Sequence, residues 1–494
     1  AFVPDRWWMT FADPGLDQQI NLALGSSFTL NAARQRLRAA RAIARREASN
    51  LFPDVNGVTD VDYMFAPGED AQRYVFGFTA SYPVDLWGQI ESRVEAEGLR
   101  AAAVRENVRA IALTLSAEIA NAWLSLIEAK AQLELINEQI DTNETGLLLQ
   151  EARFERGLIL SADVLRQRQL VEATLEQKAI AKSNIETIEH RLAVLTGEMP
   201  QLATYEPGLV LPELPPIPIT GLPSDLLRRR PDTRRDFVAF RAADRDLAAA
   251  IADQYPRLNL TGSLLSVADR PETIFRDWFV SMGASLVAPL IDGGQRRAEV
   301  DRTSAVAYAL FQQYGQTMLI AFQQVEDALA RERYQRERLT HLQAQLDLAD
   351  ESTERLREQY LLEPNTDYLA VLTADTGKQR LQREVLSAQL ELRLIRVSLY
   401  LALAGGFDPV PQVIPEFVVS QTEEPDVTVN VDPTDTSDVD GESEPDAQAA
   451  NVETIATPAS DEELQLNDFL KQLDTSEEST SERLRELLRG MIDE

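Results

Sequence analysis

The chain has 494 residues, 44% of them apolar, and a formal net charge of −32 at pH 7. The length allows two to four domains with folded cores. The sequence has no cysteine and only two histidines, His190 and His341, so disulfides and thiolate metal sites are excluded and imidazole chemistry is not expected. The acidic excess also argues against nucleic acid as a partner, because phosphate neutralisation requires surplus lysine and arginine.

Each half of the chain begins with a segment rich in alanine and arginine, at residues 30–50 and 234–254. The composition predicts a helix in both places. Pro53 and Pro256 follow these segments, and each helix must stop there because the proline ring removes a backbone donor. The two halves therefore open in the same way, which indicates an internal repeat.

Pairs of extended segments come next in each half. Apolar and polar residues alternate over about residues 55–65, 73–83, 257–267 and 277–288. This period of two predicts strands, and strands of roughly ten residues are long enough to cross a bilayer when tilted. A pair of hairpins in a soluble sandwich is an equally good interpretation of the strands alone.

A short motif closes the extended region in both halves. YPVDLWGQ covers residues 82–89 and APLIDGGQ covers residues 288–295, with the two prolines separated by 289 − 83 = 206 positions. Each motif predicts a transition from strand to helix. Its shared residues are Pro83, Gly88 and Gln89 in the first half, and Pro289, Gly294 and Gln295 in the second.

Very long helical stretches follow both motifs. No proline occurs between Pro83 and Pro200, and a helix over 89–154 would be about 100 Å long. Breaks at 155–163 and 361–367 predict two helical hairpins. No apolar run approaches the length of a transmembrane helix. Two such hairpins favour an assembly protein, and we expect no cofactor and no enzymatic activity, since phosphate loops, cysteines and paired histidines are missing.

The number of strands limits what one copy can do. Four strands cannot close a barrel, and open edges are not tolerated in lipid, where backbone groups find no partners. If the strands cross a membrane, several copies must share one barrel, and three copies give twelve strands and a channel. The alternative from another class is a soluble coiled-coil scaffold with β-hairpin ends.

Three motifs together resemble a known family. They are WWMTFADPGLD at 7–17, the repeated Pro-x4-Gly-Gln step, and GLPSDLLRRRPDTRRDF at 221–237. The last one resembles the start of the second repeat in the OprM/NodT-type branch of the TolC-like outer-membrane factors. The residues that carry this match are Pro223, Arg229, Arg230, Pro231 and Asp232.

The resemblance implies an α+β fold with internal duplication. Four strands per chain would contribute to a 12-stranded transmembrane β-barrel, and the long hairpins would form a trimeric α-barrel. It further implies an outer-membrane exit duct of a Gram-negative bacterium that extends into the periplasm. The duct would be passive and homotrimeric, and would pass small molecules.

The implied partners are outer-membrane lipid, a periplasmic membrane-fusion adaptor and an inner-membrane pump, with the resistance-nodulation-division (RND) type favoured. Ducts for metal efflux or for type I protein secretion are the alternatives within the family. The corresponding layout is a first repeat over 1–220, a second over 221–410, and an acidic tail over 411–494 that we expect to be mostly disordered.

The resemblance places a periplasmic gate at the hairpin tips. The candidate residues are Asp163, Arg166, Asp367, Tyr368 and Asp375. The second hairpin departs from the family pattern, because Ala370 and Thr373 stand where relatives have two aspartates. Members of this branch often carry a lipid on an N-terminal cysteine that this sequence lacks, so we expect either an anchor trimmed from it or a barrel that suffices alone.

Overall fold

The computed structural model describes residues 6–66, 69–201, 204–218, 223–362, 368–403 and 407. Its helices and strands follow one order twice along the chain. The first series is α1 (Pro14–Ser26), α2 (Phe28–Ala48), β1 (Asp54–Ala66), β2 (Glu69–Val84), α3 (Gln89–Glu155) and α4 (Ser161–Thr196). The second is α5 (Pro223–Arg229), α6 (Pro231–Ala252), β3 (Arg257–Ala268), β4 (Trp278–Val287), α7 (Gln295–Leu362) and α8 (Tyr368–Leu403).

The duplication is close in length as well as in order. Helices α3 and α7 have 67 and 68 residues, and α4 and α8 have 36 each. The two long helices begin at Gln89 and Gln295, which are 295 − 89 = 206 positions apart. The α+β fold with two long helical hairpins is therefore confirmed.

The four strands form one antiparallel sheet in the order β1-β2-β3-β4. Within the described residues, β1 and β4 each pair on one side only, so the sheet has two open edges. The register aligns Asn56, Thr79, Ser263 and Ser281 in one row across the sheet, and the last two hydroxyls lie 2.7 Å apart. One face is thus lined by small polar side chains, as the alternation in the sequence predicts.

The repeated strand-to-helix motif has a common physical basis in an aspartate and a glycine. Before α3, the Asp85 carboxylate accepts hydrogen bonds from the backbone N–H groups of Gln89 and Glu91, at 2.7 and 2.8 Å. Gly88 has a φ of 72°, which glycine adopts without strain. The carboxylate satisfies donors that the first turn of a helix leaves free. Pro83 still lies within β2, opposite Asn259.

The second copy of the motif uses the same chemistry. Asp292 accepts from the Gly294 and Arg296 N–H groups at 2.9 and 3.3 Å, and Gly294 has a φ of 92°. Pro289 follows the end of β4, and α7 begins at Gln295. The glycine and the aspartate of each motif are therefore explained by turn and cap geometry.

The main apolar core lies where the N-terminal segment meets the ends of the hairpins. Trp7 and Trp8 are buried, and Trp7 stacks on Tyr400 of α8 with ring centroids 5.6 Å apart. The Asp13 carboxylate caps α1 and also accepts from the Trp123 indole N–H at 2.9 Å. The segment that includes Trp7 and Asp13 is therefore held against both hairpins, through Tyr400 of α8 and Trp123 of α3.

The motif at the second-repeat start also packs as a junction. Arg230 precedes α6, its guanidinium pairs with Asp232 at 2.6 Å, and one of its N–H groups donates to the Ala402 carbonyl at the end of α8. Pro231 occupies the first turn of α6, where its missing N–H is not needed. Arg229 lies in the last turn of α5, which begins at Pro223.

A proline-rich connector over 204–218 joins the two repeats along α8. Arg396 is fully buried and donates to Glu332 at 2.5 and 3.0 Å, and to the Pro216 carbonyl at 2.9 Å. Arg393 donates to the Pro212 carbonyl at 2.8 Å. The connector is thus held by carbonyl-to-arginine contacts, with Glu332 supplying the counter-charge.

One stretch of α3 is apolar enough to cross a membrane by length and composition, contrary to the expectation from apolar runs. However, 67% of that window is buried inside the protein. The stretch includes Ile119, Leu124 and Leu126, which belong to the main core. Its apolar character therefore serves helix packing.

Candidate periplasmic gate

The first hairpin turns through a helix end of defined geometry. Gly157, with a φ of 71°, donates its N–H to the Phe154 carbonyl at 2.8 Å, and Leu158 donates to the Arg153 carbonyl at 2.9 Å. This pair of bonds is a Schellman motif, which satisfies the last carbonyls of α3. It sets the position at which α4 begins four residues after Gly157.

Asp163 and Arg166 contact each other in the first turn of α4. Their side chains form an ion pair at 3.0 Å, and the Asp163 carboxylate accepts from the Leu160 backbone N–H at 3.4 Å. Both contacts are local to the helix start, and Arg166 is exposed. These two residues therefore shape the tip of the first hairpin without a described bond to the second.

The bond between the hairpins comes from Tyr368 at the start of α8. Its buried hydroxyl donates to Oε1 of Gln167 on α4 at 2.5 Å. The Gln167 amide in turn donates to the Asn143 carbonyl of α3 at 2.7 Å. Gly146 leaves room for this side chain, since a Cβ there would lie 2.9 Å from the Gln167 amide nitrogen. The glycine inside a long helix is thus a packing requirement.

A second tyrosine reinforces this contact from α7. The Tyr360 hydroxyl donates to Oε1 of Gln150 on α3 at 3.1 Å, and its ring lies 5.2 Å from that of Tyr368. The Arg153 guanidinium sits 4.3 Å from the Tyr360 ring centroid, within cation–π range. All four helices of the two hairpins therefore meet at these tyrosines.

Buried amides continue the contact away from the tips. Asn143 donates to the Thr174 hydroxyl at 2.9 Å and accepts from the Gln379 amide at 2.9 Å. One turn earlier on α3, the Gln139 amide donates to the Gln382 side chain of α8 at 3.0 Å. We call the set Gln139, Asn143, Gln150, Gln167, Thr174, Tyr360, Tyr368, Gln379 and Gln382 the polar seam. Because its paired amides have few alternative partners in a dry interface, the seam fixes the register of α3 and α4 against α8.

Asp375 lies to one side of the seam in an ion pair with Arg357 of α7, at 2.7 Å. Burial raises the pKa of the Asp375 carboxyl, and the opposing charge of Arg357 offsets that effect only in part. Burial also raises the pKa of the Tyr368 hydroxyl to about 12, with a further contribution from Asp375. Tyr368 therefore remains a neutral donor at physiological pH.

The sequence-based candidates fall into three groups. Tyr368 lies in the seam, Asp375 pairs with the neighbouring helix, and Asp163 with Arg166 forms a local cap. Asp367 lies outside the described residues. Thr373, at one of the two positions where the resemblance leads us to expect aspartate, is exposed and donates to the Leu369 carbonyl at 2.7 Å.

The seam glutamines and Asn143 were not among the candidates from the sequence. Their signal was available, because Gln139, Asn143 and Gln150 recur at spacings of four and seven on one side of α3. Such spacing is usually taken by apolar core residues. Within the described residues, no group of acidic or histidine side chains is arranged to hold a metal ion.

The family model for outer membrane efflux proteins matches residues 19–198 and 222–405, most of both halves. The chain belongs to the outer membrane efflux protein family. It is a channel protein of the outer membrane that extends into the periplasm, and its family is one of channels rather than of enzymes. Its function is that of an outer-membrane exit duct of an efflux system.

Individual members of this family are similar over most of the chain. The pyoverdine export outer membrane protein OpmQ of Pseudomonas aeruginosa is 32% identical over 438 residues, covering 81% of this chain and 87% of OpmQ. The toluene efflux pump outer membrane protein TtgF of Pseudomonas putida is 29% identical, covering 82% of this chain and 86% of TtgF. The solved outer-membrane channel OprN superposes with a TM-score of 0.78 at 28% identity, covering 82% of this chain and 93% of OprN.

Proposed function

We propose that three copies of this chain assemble into one duct, with 1–220 and 221–410 as repeated wall units, and that the polar seam holds its periplasmic end closed. The two open edges of the sheet support the assembly. The unpaired edge of β1 in one copy would pair with the unpaired edge of β4 in the next, so that three four-stranded sheets close into twelve strands.

The outer surface of the sheet suits lipid. The large apolar side chains on the face opposite the polar row are strongly exposed in a single copy. Examples are Met282, 89% exposed, and Leu286, 64% exposed. A water-soluble protein rarely leaves such a contiguous apolar surface open. In a membrane barrel these residues face acyl chains, while the row of Asn56, Thr79, Ser263 and Ser281 faces the lumen.

Closure depends on the bond between the two hairpins of each copy. With Tyr368 bound to Gln167, the start of α8 cannot move away from α4 without leaving a buried amide oxygen unpaired. Opening therefore requires an energy source outside the chain. A periplasmic adaptor would supply it by binding the splayed form better than the closed one, and an inner-membrane pump of the RND type would deliver the cargo.

Small molecules are the proposed cargo class. One relative exports pyoverdine and another belongs to a toluene efflux pump, and both cover more than four fifths of this chain. The observation that most directly supports the proposed gate is the hydrogen bond between Tyr368 and Gln167, which joins helices of different hairpins. The test is single-channel recording of the detergent-extracted protein in planar bilayers. Rare openings support the gate, and a permanently open pore in the unmodified protein would refute it.

A further inference from the structure

The polar face of the sheet changes character toward the C-terminal end of β1. Beyond the row of Asn56, Thr79, Ser263 and Ser281, the register sets Val58, Gly77, Leu265 and Phe279 side by side in the next row of the same face. We call this row the apolar belt. Because the lumen face of a membrane barrel is ordinarily polar, the belt departs from the expected alternation. Lipid contact does not explain it, since lipid would cover the other face.

Phe279 is the largest side chain of the belt and is 59% exposed in a single copy. Its neighbour Trp278 points to the opposite face, where it packs against Phe76 with ring centroids 6.2 Å apart. Within the part of the chain that the structure describes, the Phe279 ring contacts no other aromatic ring. It therefore remains available to stack on the apolar surface of a ligand.

Gly77 leaves a notch in the belt between Val58 and Leu265. Neighbouring strands lie about 4.8 Å apart, so the backbones on the two sides of the notch are about 10 Å apart. A Cβ added to Gly77 would lie 2.8 Å from the Leu265 Cα, so the backbones approach too closely there for another residue. The notch has apolar walls and a backbone floor, a shape that accepts the edge of a flat ring system.

Asp60 places a carboxylate beside the notch. It lies in the following row of the same face, opposite Val75, and is a diagonal neighbour of Gly77. Diagonal neighbours on one face of a sheet are about 7 to 8 Å apart. Asp60 is exposed, and its side chain makes no hydrogen bond or ion pair with another described residue. An apolar notch with one unpaired carboxylate at its side suits a ligand that is apolar and positively charged.

The charges around Asp60 add up to a negative value. Arg73 lies opposite Asp62, one row further from the belt, and makes no ion pair among the described residues, so these two acids and one base leave one negative charge. At the other end of the face, Arg257 is paired with Asp253. The loop between β3 and β4 adds three acids and two bases, which are Asp269, Arg270, Glu272, Arg276 and Asp277. The surroundings of the belt therefore attract cations rather than anions.

We propose that the apolar belt and Asp60 form a site in the lumen for organic cations with a flat apolar or aromatic body, one site per copy. The body would lie along the belt from the Gly77 notch to the Phe279 ring, a distance of about 10 Å, and its charge would face Asp60. This inference rests on the proposed duct and names a class of cargo for it.

The width of the barrel makes this a contact on its wall rather than a plug. Twelve strands about 4.8 Å apart and tilted by about 40° give a barrel roughly 24 Å across between backbones. A molecule bound against one copy would therefore leave the centre of the lumen open. Transport also requires that such a contact be weak enough for the cargo to leave.

The test uses the full chain in nanodiscs and ethidium, a fluorescent aromatic cation, with the signal from protein-free nanodiscs subtracted. F279L removes the ring and should raise the dissociation constant about fivefold. D60N removes the charge and should raise it about threefold. The matched controls F78L and D54N should leave it unchanged. Phe78 pairs with Leu264 on the opposite face, and Asp54 lies on the same face about 20 Å away along β1.

The sequence has no cysteine, so single cysteine variants report which face meets water. In the same nanodiscs, a membrane-impermeant maleimide should label F279C and leave F78C unreacted. Labelling of F78C in place of F279C would overturn the inference, because the belt would then face lipid.

Equal ethidium affinity of the parent, F279L and D60N would also overturn it. So would an equal loss in F78L, which would indicate binding at the lipid-facing surface, or in D54N, which would indicate general charge attraction. Electron microscopy of each variant separates this site from the duct. A threefold particle whose ethidium binding does not depend on Phe279 would refute the site alone, whereas a single-copy particle would refute the proposed duct.

Discussion

The Tyr368 hydroxyl and the Gln167 amide oxygen lie 2.5 Å apart, although their helices belong to different repeats. Both side chains are buried, so neither group can exchange this bond for water without moving the helices. The contact thus couples the start of α8 to α4 at the end of the hairpins where the family resemblance places a gate.

Removing that hydroxyl should weaken closure. In Y368F the amide oxygen of Gln167 loses its partner, which costs about 1 kcal/mol or more and corresponds to at least a fivefold higher open fraction. Single-channel recording measures this directly. Y334F provides the control, because Tyr334 is 61% exposed on α7. An unchanged open fraction in Y368F would remove this tyrosine from the gate.

The glycine beneath Gln167 gives a prediction opposite to the usual helix rule. Replacing an interior helical glycine with alanine normally stabilises by about 1 kcal/mol. In G146A the new Cβ would lie 2.9 Å from the Gln167 amide and displace it from the Asn143 carbonyl. We expect lower thermal stability for G146A and higher stability for G98A, since a Cβ at Gly98 meets nothing within 4 Å. Higher thermal stability in both variants would show that Gln167 can move aside without loss of stability.

The ion pair beneath the connector should be sensitive to acid. Burial acts to raise the pKa of Glu332, but hydrogen bonds and charge from Arg396 and Arg336 outweigh it and leave the pKa below its usual value. This contribution to stability is therefore present above the ordinary carboxyl pKa of 4.5 and is lost as pH falls through the lower folded value.

At neutral pH, E332Q strands the fully buried Arg396 and should destabilise the protein by about 3–5 kcal/mol. Thermal unfolding followed by tryptophan fluorescence checks this, with the exposed Glu337 as the matched E337Q control. A loss under about 1 kcal/mol would mean that the connector carbonyls alone satisfy Arg396.

Asp375 should show the opposite dependence on pH. Its pKa is raised in the folded protein, so its stabilising effect is present below the ordinary value of 3.8 and is lost as pH rises through the folded value. D375N should therefore leave the stability unchanged or raise it near pH 7, and should remove the loss of stability with rising pH. D327N, at an exposed site, should change the stability little. Strong destabilisation by D375N would show that the bond to Arg357 outweighs burial.

The sequence predicts the architecture well because the architecture depends on periodicity. Alternation over 257–267 favours a strand and the Pro-x4-Gly-Gln step at Gly294 favours a turn before a helix; in the structure β3 spans Arg257–Ala268 and α7 begins at Gln295. The seam could not be derived in the same way. Asn143 and Gln379 are 236 positions apart in the sequence. Whether Asn143 contacts Gln379 or water therefore depends on how α3 and α8 pack against each other. Asp163 shows a different limit of the sequence, because an acid at a hairpin tip can satisfy its own helix start as readily as it can serve a gate.

In the proposed assembly, one copy supplies a third of a closed barrel. Electron microscopy of the detergent-extracted protein tests it most directly. We expect a threefold-symmetric particle in which β1 of each copy pairs with β4 of the next. A single-copy particle that stays soluble without detergent, with Met282 and Leu286 packed inside it, would contradict the account.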